Sequence, residues 1–268
     1  MASSALTTVL ANSNPITKGH LVLACKREGV RRLAQLSDAE MFDLFHVAKD
    51  ACSTLAVDGF NYALKEAWDL EPEGTVPALH LHIVPRRAPL EEGMWCSDFK
   101  MNDLVYSKLD AWHPVSGCSH SPPVREFPDD AVRRARTEKE MAEEALVYRQ
   151  AQEGGAEGVA TGLPESHVFS NFRLDQGQLF WSSALSVAFV NLKPLVPGHV
   201  LVTPRRVVPR MAGLSQEEEE DLWRGVREVE KIVGSVHHAD DFDLGIQDGP
   251  IAGQSVPHVH VHVLPRPP

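Results

Sequence analysis

The 268-residue chain is 43% hydrophobic and 24% charged, the balance of an ordinary globular protein with enough length for one large domain or two small ones. Its 26 Lys and Arg against 37 Asp and Glu leave a net charge of −11, which argues against a general electrostatic grip on a nucleic acid polymer; a small anion could still be met by a local cluster of bases. No apolar run approaches the length of a membrane span, no basic-then-apolar leader is visible, and Cys25, Cys52, Cys96 and Cys118 lack CxxC spacing, so reduced thiols and a place in the cytoplasm, and the nucleus as well, are the expectation.

The chain repeats itself. SSALTTVLANSNPITKGHLVL, from Ser3, returns as SSALSVAFVNLKPLVPGHVLV, from Ser182: Asn12, Pro15 and Gly19-His20 recur as Asn191, Pro194 and Gly198-His199. Further on, Ser37 answers to Ser215, and the HLHIVPR run at His80 to HVHVLPR at His260. Self-similarity on this scale predicts two copies of one domain.

In each copy an alternating apolar stretch reaches a Pro-x-x-x-Gly-His turn and a second short strand. A helix then opens at Ser-x-x-Glu, Ser37 with Glu40 and Ser215 with Glu218, where hydroxyl and carboxylate each satisfy a free backbone donor. The first copy continues with strands over Phe60–Glu66 and Val76–Val84. Residues 91–150 have no counterpart in the second half; they hold HPVSGCSHSPP, from His113, and a helix opened by Thr137 with Glu140. Glycines in EGGAEGVATGLP, from Glu153, predict a flexible linker. The second copy's helix carries acidic residues Glu217 to Asp221 at its start and a core face of Leu222, Val226, Val229 and Val233, and is expected to end at Gly234. Strands follow from Phe242 and over Val256–Leu264. The predicted domains are 1–150, a degenerate copy with an extension; 151–166, a linker; and 167–268, the catalytic copy.

His258, His260 and His262 alternate with Val259, Val261 and Val263. On an extended strand the imidazoles share one face roughly 6.6 Å apart and the valines the other. Three buried imidazoles have no good packing reason, so the pattern points to chemistry near neutral pH: nucleophilic attack, proton transfer or metal binding, zinc included. His46, His113, His120, His167, His237 and His238 carry no motif and read as surface or locally satisfied side chains.

HVHVHVL, from His258, together with NLKPLVPGHVLVTP and GIQDGPIAGQ, resembles the histidine triad (HIT) superfamily, and within it the fragile histidine triad branch of dinucleoside polyphosphate hydrolases. NDLVY at Asn102 and EKEMAEEALVYR at Glu138 are similar to that branch's C-terminal extension. The resemblance implies an α+β fold: two HIT-like domains, each an antiparallel sheet packed with helices, forming an intramolecular pseudo-dimer. It implies hydrolysis of diadenosine triphosphate to AMP and ADP through a nucleotidyl-histidine, with His260 as nucleophile and His258 and His262 on the phosphate oxygens; the place of His199 in the Pro-x-x-x-Gly-His turn adds it as a support for these rings. Asn191, Gln247, Gly253, Gln254, Ser255 and Val256 match substrate-binding positions. Phe169 and Phe172 border the base position, where stacking and core packing stand level. No tightly bound cofactor is implied, only Mg or Mn arriving with the substrate. Other readings are a hydrolase of nucleoside phosphoramidates or cap dinucleotides, and a nucleotide-binding signalling module without turnover.

The first copy keeps His80 and His82 but has Ala78 at the first triad position, Lys65 where the second copy has Gln247, and Gly74 where it has Gln254. A weak or dead site is expected there, with the first copy serving to shape the cleft of the second.

Overall fold

The computed structural model describes residues 3–10, 12, 14–67, 79–87, 132–153 and 162–266. The chain divides into two compact units, one of Met1–Phe127 with Gly245–Ser255, the other of Pro128–Leu244 with Val256–Pro268. The helix after the first copy belongs to the second unit, and the Gly-Pro loop of the second copy belongs to the first.

In the first unit β1 (Thr7–Leu10), β2 (Leu21–Cys25), β3 (Gly59–Lys65) and β4 (His80–Arg86) lie antiparallel in the order β1-β2-β4-β3. Helix α1 (Asp38–Ser53) packs against β1 and β2, burying Met41, Leu44, Phe45 and Ala48. Ser37 and Glu40 form the reciprocal cap that their spacing predicts. The expected strand from Val76 is described only from His80; Gly74, Ala78 and the segment from His113 to Pro123 lie outside the described residues. Cys25 and Cys52 are free and buried.

The second unit holds α2 (Glu138–Glu153), the hairpin β5 (Ser166–Phe169) and β6 (Phe172–Asp175), then β7 (Leu179–Ser182), β8 (Ser186–Val190), β9 (Val200–Pro204), α3 (Gln216–His237) and β11 (Val261–Arg266). Strand β10 (Asp241–Asp248) begins in this unit and ends in the other. The antiparallel order is β11-β9-β8-β7, with α2 and α3 packed against these strands. Thr137 and Glu140 cap α2, and Ser215 and Glu218 cap α3.

Helix α3 passes Gly234 and ends three residues later, with His238 in the left-handed conformation that closes it. Gly234 is there for a different reason: a Cβ would lie 2.6 Å from the Ala239 carbonyl, so only glycine lets the departing chain return so closely. Val259, Val261 and Val263 are buried as the alternation predicts, each worth roughly 1.5–3 kcal/mol of transfer free energy. The regular strand is shorter than expected, because it starts at Val261 and leaves His258 and His260 on the approach to it. No described helix is long and apolar enough to cross a membrane.

Candidate active site

Two elements position the histidines of the second unit. Strand β11 pairs His262 with Leu201 on β9, which brings it beside His199 in the turn just before β9. Gly198 makes that turn with φ +80°.

The backbone donors around each ring decide where its proton sits. Leu195 N–H points at His199 Nδ1 (3.0 Å), so His199 carries its hydrogen on Nε2 and donates it to His262 Nδ1, 3.0 Å away. His262 is thereby left with its hydrogen on Nε2, a buried atom with no hydrogen-bond partner among the described residues. His260 Nδ1 lies 2.7 Å from the carbonyl oxygen of His258, which can only accept; the Nε2 lone pair of His260 is therefore unprotonated and available. His258 is engaged at both nitrogens: Nε2–H donates to the Pro204 carbonyl (3.0 Å) and Nδ1 accepts from Ser170 N–H (3.3 Å). Both ring nitrogens of His258, expected on phosphate oxygens, have backbone groups beside them.

Burial holds all four rings neutral. It lowers His199 to about 3 and His258 to about 4, depresses His260, and places His262 well below the ordinary imidazole range, helped there by His260, His199 and Arg133. Phe169 packs at 5.2 Å from His260 and 5.4 Å from His258, and joins Leu179, Phe189 and Leu201 in a core cluster. Core packing thus decides the question for Phe169, whereas Phe172 is 54% exposed.

Asn191 accepts the Lys193 N–H on Oδ1 (2.8 Å), which turns its amide nitrogen to within 3.2 Å of His199 Nε2. Val256 packs on the Phe169 cluster. The remaining expected residues, Gln247, Gly253, Gln254 and Ser255, lie in the first unit. There the loop closes on itself: Gln254 Oε1 accepts from Gly249 N–H (3.0 Å), Gln254 N–H donates to the Gly249 carbonyl (3.2 Å), and Gly253 sits at φ +86°. Asn61 on β3 donates to the Ala252 carbonyl of the same loop (2.9 Å).

The first unit reproduces half of the proton arrangement. Ile16 N–H donates to His20 Nδ1 (3.1 Å), and His20 Nε2 lies 2.9 Å from His82 Nδ1. Lys65 is buried opposite His80 in the strand register, so a cation stands where the second copy has the neutral Gln247. Among the described residues no group of three or more His, Cys, Asp or Glu side chains is arranged to hold a metal ion.

Four further side chains near these rings were not singled out by the sequence. His167, read as an ordinary surface or satisfied side chain, is 6% exposed and lies 6.0 Å from His258; its alternation with Phe169 on β5 was the available signal. His237, expected at the surface, is half-buried and bonded to Tyr148. Arg133 and Arg136, in an unassigned basic stretch, act electrostatically on His199.

The HIT domain model matches residues 2–89 and again 175–268. The chain belongs to the HIT family. This HIT chain is 48% identical over 101 residues to the Arabidopsis thaliana bifunctional bis(5'-adenosyl)-triphosphatase/adenylylsulfatase FHIT, an alignment covering 38% of this chain and 56% of that protein. It is 50% identical over 104 residues to the Schizosaccharomyces pombe bis(5'-nucleosyl)-tetraphosphatase [asymmetrical], covering 39% and 57%. The chain thus spans little more than half the length of these relatives, which support the fragile histidine triad branch. A solved uridylyltransferase structure matches 99% of the HIT chain and 74% of its own at 13% identity and TM-score 0.54, a likeness of fold alone.

Proposed function

We propose that the second copy hydrolyses dinucleoside polyphosphates, taking diadenosine triphosphate to AMP and ADP. The observation that carries this reading is the 2.7 Å bond from His260 Nδ1–H to the His258 carbonyl, which fixes the tautomer and leaves Nε2 as a nucleophile at neutral pH. The names of the Arabidopsis and fission yeast relatives support the substrate class.

Attack by His260 Nε2 on the α-phosphorus forms an N–P bond as the bridging P–O bond breaks, and ADP leaves as the anion. His262 Nε2–H, held by His199 at Nδ1, is the donor suited to hydrogen-bond the departing oxygen while keeping its proton. Water then attacks phosphorus, the N–P bond breaks with its electron pair returning to His260 Nε2, the water's proton is released to solvent, and AMP departs. His258 orients the nucleophile through its carbonyl, while the 249–254 loop, with Gln247 and Ser255, offers backbone and amide donors suited to the polyphosphate, and Asn191 suits the nucleoside side. Mg or Mn belongs with the substrate in this scheme. The two HIT copies stand in for the two subunits of a dimer, with the first copy, carrying Lys65 and Ala78, inactive.

Product analysis on diadenosine triphosphate, diadenosine tetraphosphate, adenylyl sulfate, a nucleoside phosphoramidate and a cap dinucleotide tests the reading. Diadenosine triphosphate among the fastest, with AMP and ADP as products, is expected; binding without product release would leave a signalling module instead.

A further inference from the structure

The arm 132–136 and helix α2 follow the first copy in sequence but lie in the second unit, on the loop that carries Asn191. Arg136 N–H donates to the Leu192 carbonyl (2.9 Å), Arg136 Nε to the Asn191 carbonyl (2.9 Å), and Nη2 to that same oxygen. Three residues earlier, Arg133 Nη1 donates to the Lys193 carbonyl (2.8 Å). Three consecutive carbonyls of one loop are thus held by two arginines.

Arg136 is itself held. Its Nη1 pairs with Glu144 in the second turn of α2, Glu144 accepts the Tyr148 hydroxyl (2.8 Å), and that hydroxyl also meets His237 Nε2 (2.8 Å) at the end of α3. On the other side the Asn191 side chain lies against His199, its amide nitrogen 3.2 Å from Nε2 in a packing contact between two donors, and His199 donates to His262.

We infer that Arg136, fixed by Glu144 and Tyr148, is a positioning residue for the second-copy site, setting the Asn191 loop and through it the His199–His262 pair. A guanidinium suits this task because its planar fork reaches one carbonyl with two donors while a third faces a carboxylate. Both arginines also favour neutral His199, and Arg133 favours neutral His262, which agrees with a pair that must keep a single proton each. The extension of the degenerate copy is then part of the working copy's machinery.

This inference rests on the hydrolase reading, and the test separates the two. Arg136→Ala should raise KM for diadenosine triphosphate and lower kcat/KM by roughly tenfold or more, the scale of effect that a small misplacement of positioning groups produces. Arg136→Lys should recover much of it, since an ammonium can still donate to the Asn191 carbonyl, and Glu144→Gln should fall between. Leu222→Ala, which removes a buried side chain at the opposite end of α3 from His237, should lower thermal stability and leave KM unchanged. Kinetics of Arg136→Ala within twofold of the parent, or the same KM rise in Leu222→Ala, would overturn the clamp. A parent protein without turnover would sink the hydrolase reading; the clamp is then read from diadenosine triphosphate binding to His260→Asn with and without Arg136→Ala. Equal affinities, or no binding at all, overturn it there too.

Discussion

Asn61 on β3 donates its amide hydrogen to the carbonyl of Ala252, 2.9 Å away, while its own carbonyl oxygen accepts from Arg86 Nη1 at 2.8 Å. All three groups are buried, and the effect is that a strand of the degenerate copy braces the Gly-rich loop of the other. Gly59, two residues earlier, allows the contact: a Cβ there would lie 2.7 Å from the Asp248 carbonyl.

Asn61→Ala should therefore cost about 1–3 kcal/mol, since it leaves a buried carbonyl and a buried guanidinium short of a partner. It should also raise KM more than it lowers kcat, because the proposed reaction assigns this loop to the polyphosphate. Urea denaturation and steady-state kinetics measure the two effects.

His260→Asn should reduce turnover by roughly a thousandfold or more, because the nucleophile is gone. Nucleotide binding should persist. His80→Asn, at the matching position beside Lys65, should leave turnover little changed. Equal losses in the two variants would contradict the assignment of activity to the second copy.

Stability should fall as the solution is acidified below the ordinary imidazole range. His199 is lowered from 6.5 to about 3, and His20, His167 and His258 to about 4, all chiefly by burial. Between pH 6.5 and those values the unfolded chain takes up protons that the folded chain refuses, so each pH unit downward favours unfolding; above pH 6.5 these groups are neutral in both states and contribute no slope. Melting temperatures measured from pH 8 to pH 4 should be flat at the upper end and decline below about 6.5, with a shallower decline in His199→Gln.

Gly198→Ala should destabilise more than Gly19→Ala, although the two occupy equivalent turns with positive φ. Both pay the strain of the left-handed region, about 1 kcal/mol. At Gly198 the new methyl would also lie 2.7 Å from His237 Cδ2 and 2.8 Å from Pro265 Cγ, against 3.6 Å to its nearest neighbour at Gly19, adding about 1–3 kcal/mol of overpacking. Chemical denaturation of the two variants gives the comparison.

The sequence alone determined the duplication, the reciprocal caps at Ser37, Thr137 and Ser215, and the valine face opposite the three histidines, because these rest on periodicity and on local donor–acceptor chemistry that spacing encodes. It could not determine which nitrogen of each ring holds the proton. That depends on carbonyls and N–H groups from Pro204, Ser170 and Leu195, brought in by turns and by strand register. Nor could it show that α2 and the arginines preceding it belong to the second unit, or that the 245–255 segment belongs to the first, since such allegiances are set by which surfaces bury each other and not by position along the chain.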